Sequence, residues 1–426
     1  MLPGEPNNVR ETPSASATLV AQIEPGQVVY ITSAPVCAEG YVWWQVMYRT
    51  PESTQDFPFG YTVEGAAPLG EGNYWLEPAP QPLDVPSVTT PITSTNVAQL
   101  QQVAQVEFGM VNRFVWSADS QRLAINTVGA TWVYDLASGS LPVRITANAY
   151  DTNYTQGISF GADGDAVATA GSITLDANSP QAGAAYTWSL ANPASPQVSF
   201  LHADAPFGGV AAVSPDSRLV AFANGDGSIS VRDLFSGDPV STMKGHTLVG
   251  SLIFSPDGTR LISAGTSGMM VSDTTVRVWD VATGSELGMF ELGELTPVLV
   301  LDAAGTTLAV VTYHVESAAQ AVQLIDMATL SVSGSIAVPA GSIAGVAFSP
   351  DGSLLAVSNS LFDDAQGGWA SALRFYDRSS GAEVFSVPFN SGVGSIAFSP
   401  DGTLLALMYE DPLFWGPNRA TLWAVP

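Results

Sequence analysis

Two segments near the C-terminus place carboxylates beside large aromatic rings, a combination that can bind or cleave a ligand. The first contains Asp363, Asp364 and Trp369, and the second contains Tyr409, Glu410, Asp411, Phe414 and Trp415. Carboxylates held about 5–10 Å apart across a cleft act as the acid and base of glycoside hydrolases. Acids beside rings can equally bind a basic peptide, a carbohydrate or a cation, and the rings can also pack on their own loops. The residue types therefore leave binding, hydrolysis and a structural role open.

One motif of a nucleophilic enzyme occurs, a G-x-S-x-G pattern from Gly157 to Gly161. In hydrolases such a serine lies at a sharp turn between a strand and a helix. Here Ala162-Asp163-Gly164 predicts a turn between two strands, so we expect Ser159 to lie within a strand. The three histidines are far apart in sequence, and one cysteine, Cys37, cannot form a set of cysteine ligands. We therefore predict no catalytic residue, no metal site and no cofactor.

Composition narrows the classes of partner. The formal net charge is −26, although charged residues make up only 12% of the chain. Because this charge repels phosphate, we expect neither nucleic acid nor an anionic membrane surface as a partner. No run reaches the roughly 18 apolar residues of a membrane span. The residues after Met1 lack the basic and apolar regions of a signal peptide, which predicts a cytoplasmic protein or one whose leader lies outside this sequence.

A repeated strand–turn–strand pattern must position these segments. The apolar runs Val346–Phe348 and Leu354–Val357 flank Ser-Pro-Asp-Gly, a sequence typical of a tight turn. Related turns recur about 41–53 residues apart, a spacing that suits a four-stranded propeller blade. They centre on Asp119, Asp163, Asp216, Asp257, Asp302, Asp351 and Asp401.

The repeats also end their third strands alike, in most copies with an apolar residue before an acid. The predicted last residues are Asp135, Ser189, Asp233, Asp280, Asp326, Asp377 and Ala424. The fourth copy, from Gly245-His246 to Trp279-Asp280, resembles the WD-repeat family of β-propellers. By that resemblance a hydrogen-bonded tetrad braces its blade, formed by His246, Ser263, Asp273 and Trp279. The other copies lack the histidine, so we expect packing to hold their blades together.

The copies predict seven blades over residues 97–426. The last copy ends after its third strand, while Val103–Phe108 precedes the first copy and can supply the missing fourth strand. A composite (velcro-closed) last blade hides two sheet edges, so we predict a ring closed by strands from both ends. The longer loops should leave one face, opposite the short turns. They are Leu175–Gly183, Thr266–Asp273, Tyr313–Gln320, Leu361–Ser371 and Tyr409–Asn418.

Residues 1–78 predict a separate small barrel of about five short strands. The segments Pro25–Val29, Trp43–Val46 and Gly60–Val63 resemble bacterial SH3-like domains, with a longer insert at 50–59. By that resemblance, the unit binds a peptide or cell-wall polymer through an aromatic groove. The fold class is thus all-β, with an SH3-like barrel, a proline-rich linker at 79–96 and a seven-bladed propeller.

Aromatic rings are the candidate ligand contacts of the first unit. Trp43 and Trp44 face opposite sides if they share a strand, so one can fill the barrel while the other joins a surface. The candidate rings are Tyr41, Trp43, Tyr61 and Trp75. These rings can equally pack the barrel or a neighbouring domain.

We predict a non-enzymatic binding or scaffold protein. The propeller presents a platform for a protein or glycan, and the SH3-like unit binds or anchors to peptide or cell-wall polymer. By resemblance, this pairing indicates a monomeric bacterial protein that is extracellular or in the cell envelope, with a cytoplasmic location left open. One alternative is a hydrolase of glycan or peptide that uses Asp363, Asp364, Glu410 and Asp411. An intracellular assembly platform is a third.

Overall fold

A computed structural model describes most of the chain as β-strand. It covers residues 7–23, 29–31, 36–39, 41–47, 59–66, 82–108, 111–127, 130–145, 155–173, 182–193, 196–202, 207–266, 273–292, 294–314, 319–339, 341–363, 368–409 and 418–426. Within these ranges the helical residues are a single 3-10 turn at Val97–Gln99, which confirms the all-β class. No helix in the described ranges has the length and apolar character needed to cross a membrane.

The first strands form a six-stranded sheet of their own. Its strands are β1 (Asn7–Arg10), β2 (Leu19–Ile23), β3 (Tyr30–Ile31), β4 (Val36–Ala38), β5 (Tyr41–Met47) and β6 (Phe59–Ala66). The order is β2-β1-β6-β5-β3, and β4 also pairs with β5. Side chains from β1, β2 and β5 form a small core, which consists of Val9, Ile23, Trp44 and Val46. The predicted insert at 50–59 lies almost wholly outside the described residues.

Four-stranded antiparallel sheets make up the described part of residues 101–426. β7 (Gln101–Phe108) comes first. Sheet 1 is β8 (Val111–Trp116), β9 (Arg122–Thr127), β10 (Ala130–Asp135) and β11 (Val143–Ile145). Sheet 2 is β12 (Thr155–Phe160), β13 (Ala166–Ile173), β14 (Ala182–Ser189) and β15 (Val198–His202). Sheet 3 is β16 (Phe207–Val213), β17 (Leu219–Asn224), β18 (Ile229–Asp233) and β19 (Pro239–Met243).

The remaining sheets follow the same order along the chain. Sheet 4 is β20 (Val249–Phe254), β21 (Arg260–Gly265), β22 (Thr275–Asp280) and β23 (Glu286–Glu291). Sheet 5 is β24 (Glu294–Leu301), β25 (Thr307–His314), β26 (Ala319–Asp326) and β27 (Ser331–Ala337). Sheet 6 is β28 (Ser342–Phe348), β29 (Leu354–Ser360), β32 (Ser371–Asp377) and β33 (Glu383–Phe389), interrupted by a hairpin of β30 (Phe362–Asp363) and β31 (Gly368–Trp369). Sheet 7 is β34 (Val393–Phe398), β35 (Leu405–Tyr409), β36 (Asn418–Ala424) and β7.

The turn between the first two strands of a sheet is fixed by a serine–aspartate pair. In sheet 4, the Ser255 hydroxyl donates to Asp257 Oδ1 at 2.5 Å and accepts from the Arg260 backbone N–H at 2.9 Å. Gly258 adopts φ +70°, the left-handed conformation that glycine takes without strain. The same serine-to-aspartate bond, at 2.6 Å, occurs in sheets 1, 3, 6 and 7. These turns are therefore scaffold, as the sequence predicted.

Sheet 5 departs from the predicted turn. Asp302 does not take the aspartate position. Its backbone N–H donates to the Thr307 carbonyl at 3.0 Å, which places it at the first position, where sheets 1, 3, 4, 6 and 7 carry serine. Its carboxylate accepts the N–H groups of Thr306 and Thr307 at 2.7 and 3.0 Å and pairs with Arg378 of sheet 6 at 3.1 Å. A carboxylate can replace the serine because it accepts several bonds and finds a cation nearby.

Neighbouring sheets are joined all the way round. β36 pairs antiparallel with β7, from Asn418 opposite Phe108 to Ala424 opposite Gln101, so sheet 7 is composite. Each pair of neighbouring sheets, from 1 and 2 to 6 and 7, is joined by at least one hydrogen bond or ion pair. In that order they include Arg122–Asp165, Ser217–Phe160, Ser241–Val281, Arg260–Met327, Arg378–Asp302 and Ser358–Gly394. The Asp401 N–H then donates to Ser120 Oγ at 3.0 Å, which links sheet 7 back to sheet 1.

Residues 82–100 lie against these sheets. Leu83, Ile92, Val97 and Leu100 are all buried, so this part of the proline-rich segment is docked and does not run free. The 3-10 turn Val97–Gln99 lies in this segment, and Asn96 makes no side-chain cap on it. The domain boundaries at 78/79 and 96/97 stay predictions.

Candidate functional site

The predicted tetrad residues come together in sheet 4. His246 lies between β19 and β20, Ser263 lies on β21, Asp273 precedes β22 and Trp279 lies on β22. The Trp279 indole N–H donates to Ser263 Oγ at 2.7 Å, and that hydroxyl is 2.7 Å from His246 Nε2. His246 Nδ1 is 3.0 Å from Asp273 Oδ2. One chain of hydrogen bonds thus runs from the third strand through the second to the segment before the first.

Burial favours the neutral form of His246. Burial raises the pKa of Asp273, but hydrogen bonds from Thr275 and from the Thr247 N–H outweigh that effect and hold the pKa far below its usual range. Burial also lowers the pKa of His246, although Asp273 partly opposes the change. The ring therefore donates Nδ1–H to the carboxylate and accepts the Ser263 hydroxyl at Nε2. All polar groups are used internally, which makes this a structural brace.

A second buried histidine braces sheet 3, and sequence reasoning missed it. His202 Nε2 is 2.9 Å from Asn224 Oδ1, and Arg232 donates from Nε to His202 Nδ1 at 3.1 Å. The ring stacks on Phe222 with centroids 4.9 Å apart. His202 is the last residue of β15. The available signal was its place just before the first strand of the next sheet, where His246 also lies.

Part of the brace also occurs without histidine. In sheet 2 the Trp188 indole on the third strand donates to Thr169 Oγ1 on the second strand at 3.0 Å. In sheet 7 the Trp423 indole instead donates to Thr421 Oγ1 on its own strand, β36, at 2.9 Å. Sheet 1 has Tyr134 at the tryptophan position, and in the described structure its buried hydroxyl has no hydrogen-bond partner. Packing alone therefore holds that ring.

In the first unit the predicted exposed ring Trp43 is buried. Trp43 is only 2% exposed, and its indole N–H donates to the Ala38 carbonyl at 3.1 Å within the β4–β5 hairpin. Trp44 is 5% exposed on the other face, in the core. Trp43 is therefore no ligand platform, because it folds over its own hairpin and contacts Tyr41 edge-on at 6.3 Å. Tyr41 and Tyr61 are half-buried, and Trp75 lies outside the described residues.

The two C-terminal segments begin next to each other, one at the end of a strand of sheet 6 and the other at the end of a strand of sheet 7. Ser360, at the end of β29, exchanges hydrogen bonds with the Val393 backbone at 2.9 and 3.1 Å. Val393 is in turn the register partner of Tyr409, from which the second segment starts. Asp363 and Trp369 fall in the β30–β31 hairpin, where Phe362 pairs with Trp369. Asp364, Glu410, Asp411, Phe414 and Trp415 lie outside the described residues.

Tyr409 itself is engaged within the fold. Its ring lies 5.6 Å from that of Phe389, and the Arg419 guanidinium lies over it at 5.7 Å. Arg419 Nη1 also donates to the Tyr409 hydroxyl at 3.3 Å. Tyr409 thus anchors the start of its segment, and a ligand would meet only what these contacts leave uncovered.

Enzyme-like arrangements do not form in the described structure. Ser159 lies in β12 as expected, is buried, and donates towards the carbonyls of Phe160 and Pro215 at 3.2 and 3.4 Å. Across the described ranges, no group of three or more histidine, cysteine, aspartate or glutamate residues is placed to hold a metal ion.

Comparison with known proteins agrees with this architecture. The family model "WD domain, G-beta repeat" (WD40) matches residues 237–280, the copy that carries the complete tetrad. The β-propeller domain of Cps50 (Swd1) from Myceliophteria thermophila covers 77% of this chain and 100% of that domain, with a TM-score of 0.59 and 15% identity. The chain thus contains a WD40 repeat and has a β-propeller fold.

A curated relative shares a shorter stretch. The Drosophila melanogaster protein groucho is 39% identical over 101 residues, which is 24% of this chain and 13% of groucho. The chain therefore spans only a small part of that relative. WD40 propellers generally mediate protein interactions.

Proposed function

We propose that this chain is a non-enzymatic protein-binding scaffold built on a seven-bladed propeller. The bonds that return from sheet 7 to sheet 1, and the composite pairing of β36 with β7, support a closed ring of seven blades. The short serine–aspartate turns lie at one end of the sheets. The longer loops lie at the other end, and surface loops are where binding residues usually occur.

The binding surface we assign is formed by residues 361–370 and 409–418, on neighbouring sheets 6 and 7. The observation that carries this assignment is the Ser360–Val393 hydrogen-bond pair, which ties the starts of both segments together. Their sequences combine four acids with several large rings and contain no lysine or arginine. This chemistry suits a protein segment with basic and apolar side chains. A glycan, whose rings also stack on aromatics, is the second candidate.

The N-terminal sheet is proposed as an SH3-like unit that binds or anchors to a peptide or cell-wall polymer. Its antiparallel order around a core with Trp44 supports a small barrel. With Trp43 buried, the remaining candidate rings are Tyr41, Tyr61 and Trp75. A monomeric bacterial protein of the envelope or extracellular space remains our proposal.

The non-enzymatic character rests on how the described histidine rings are used. His202 and His246 are buried and bonded on both nitrogens, so neither ring can serve as a general base. The competing hydrolase would rely on Asp363, Asp364, Glu410 and Asp411. Replacing these acids by their amides should leave the chain's hydrolysis of peptide and glycan unchanged, at background level.

A binding screen of the full chain tests the proposal. Immobilised protein is probed with an array of peptides of graded lysine and arginine content and, separately, with purified peptidoglycan. The double variant Phe414→Ala/Trp415→Ala should lose binding of basic peptides at least about ten-fold, which is 1.4 kcal/mol. The control Phe235→Ala removes an exposed ring (56%) from sheet 3 and should not change binding. Equal binding by both variants, or release of cleaved peptide or sugar that the amide variants lack, would overturn the proposal.

A further inference from the structure

Residues 82–100 are built into the propeller by four buried aliphatic side chains. Leu83 is 3% exposed and packs in a cluster with Leu123 of sheet 1 and Leu404 of sheet 7. Ile92 and Val97, each 1% exposed, pack with Leu100 among residues of sheets 6 and 7. One segment thus contacts three consecutive sheets.

Backbone hydrogen bonds fix where the segment crosses. The Ile92 N–H donates to the Gly402 carbonyl at 2.8 Å, in the serine–aspartate turn of sheet 7. The Ser94 N–H donates to Ser353 Oγ at 3.4 Å, in the equivalent turn of sheet 6. Between them the Asn96 side chain accepts from Thr93 and donates to the Pro91 carbonyl, which holds a compact local turn. The segment therefore crosses the turn end of the sheets.

This location is the place where the ring closes. Sheet 7 combines strands from distant parts of the chain, because β7 precedes sheet 1 while β34–β36 end the protein. β7 runs into β8 after two residues, so its C-terminal end is tethered to sheet 1. Its N-terminal end, Gln101 and Gln102, is exposed and pairs with Ala424 and Trp423. Such a strand end frays unless something holds it.

We propose that residues 82–100 are a latch that locks the propeller at its closing sheet. Leu100 is followed directly by β7, so the docked latch anchors the free end of that strand. Anchoring keeps β7 at high effective concentration beside β36, because β7 is then held at both ends. The latch also covers the turn end of sheets 6 and 7 from within the same chain. This inference stands apart from the proposed binding function, which concerns the opposite loops.

Hydrogen exchange of the full-length protein tests the latch. In the variant Ile92→Asp/Val97→Asp, two charges replace buried side chains, which should release the latch. We expect amides of β7 and β36 to exchange at least about ten-fold faster, while those of β21 and β22 in sheet 4 change less than about two-fold. The matched control Thr89→Asp/Ala98→Asp places the same charges at exposed positions of the segment and should match the unaltered chain.

A milder variant keeps the test decisive if the aspartates prevent folding. Ile92→Ala/Val97→Ala should show the same localised acceleration at smaller size, because it removes contacts without burying charge. Unchanged exchange in β7 and β36 would overturn the latch. So would an acceleration that is equal in sheet 4, because the segment would then contribute only general stability.

Discussion

Ser263→Ala should be unusually costly for the loss of one hydroxyl. Ser263 is fully buried and accepts the Trp279 indole N–H while it donates to His246 Nε2, both at 2.7 Å. The substitution leaves a donor and an acceptor buried without partners, and each such group costs about 1–3 kcal/mol. We therefore expect the free energy of unfolding to fall by about 2–6 kcal/mol. The control Ser335→Ala, at an exposed position of β27, should change it by less than about 0.5 kcal/mol.

Urea unfolding, followed by tryptophan fluorescence and far-ultraviolet dichroism, measures both variants. A double-mutant cycle with Trp279→Phe separates the hydrogen bond from lost bulk, and we expect a coupling energy of about 0.5–3 kcal/mol. If Ser263→Ala cost no more than Ser335→Ala, the brace would not be stabilising. Additive single variants would likewise refute the claim that the two residues act through one bond.

Three further outcomes follow from other contacts. Burial lowers the pKa of His202, so the folded state binds fewer protons than the unfolded state. The free energy of unfolding should therefore fall as pH drops below the usual histidine pKa. His202→Gln should make this fall smaller when urea unfolding is compared at pH 7 and pH 5. Tyr134→Phe should leave the melting temperature unchanged or higher, because its buried hydroxyl has no partner in the described structure. Arg378→Met should cost about 1–3 kcal/mol in urea unfolding, since Asp302 then stays buried without its cation, whereas an unchanged midpoint would contradict that role.

The repeated strand–turn–strand pattern allowed much of this fold to be predicted from the sequence. The third strands end at the predicted residues, from Asp135 of β10 to Ala424 of β36, because apolar alternation and turn chemistry are both local signals. The pairing of Val103–Phe108 with the last strand was predictable from counting, since an incomplete copy and an extra strand complement each other. The tetrad residues were predictable because one copy retains all four side chains.

What sequence reasoning missed depends on contacts between distant residues. Asp302 resembled the aspartate of the other turns, and only the backbone bonds show that it replaces the serine and pairs with Arg378. His202 pairs with an asparagine, so its brace matches no motif. Trp43 is covered by its own hairpin, which alternation on one strand cannot predict. The proline-rich segment is docked because a few aliphatic residues, Ile92 among them, meet the closing sheet.

A hydrogen-exchange footprint with a basic peptide from the array tests the binding surface proposed on sheets 6 and 7. Peptide binding should slow exchange in residues 361–370 and 409–418 together. The first segment follows Ser360, which bonds Val393, and the second starts at Tyr409, the register partner of Val393. The serine–aspartate turns at the other end of the sheets should be unaffected. Slower exchange confined to those turns or to β1–β6, with unchanged exchange in the two segments, would contradict the proposed binding surface.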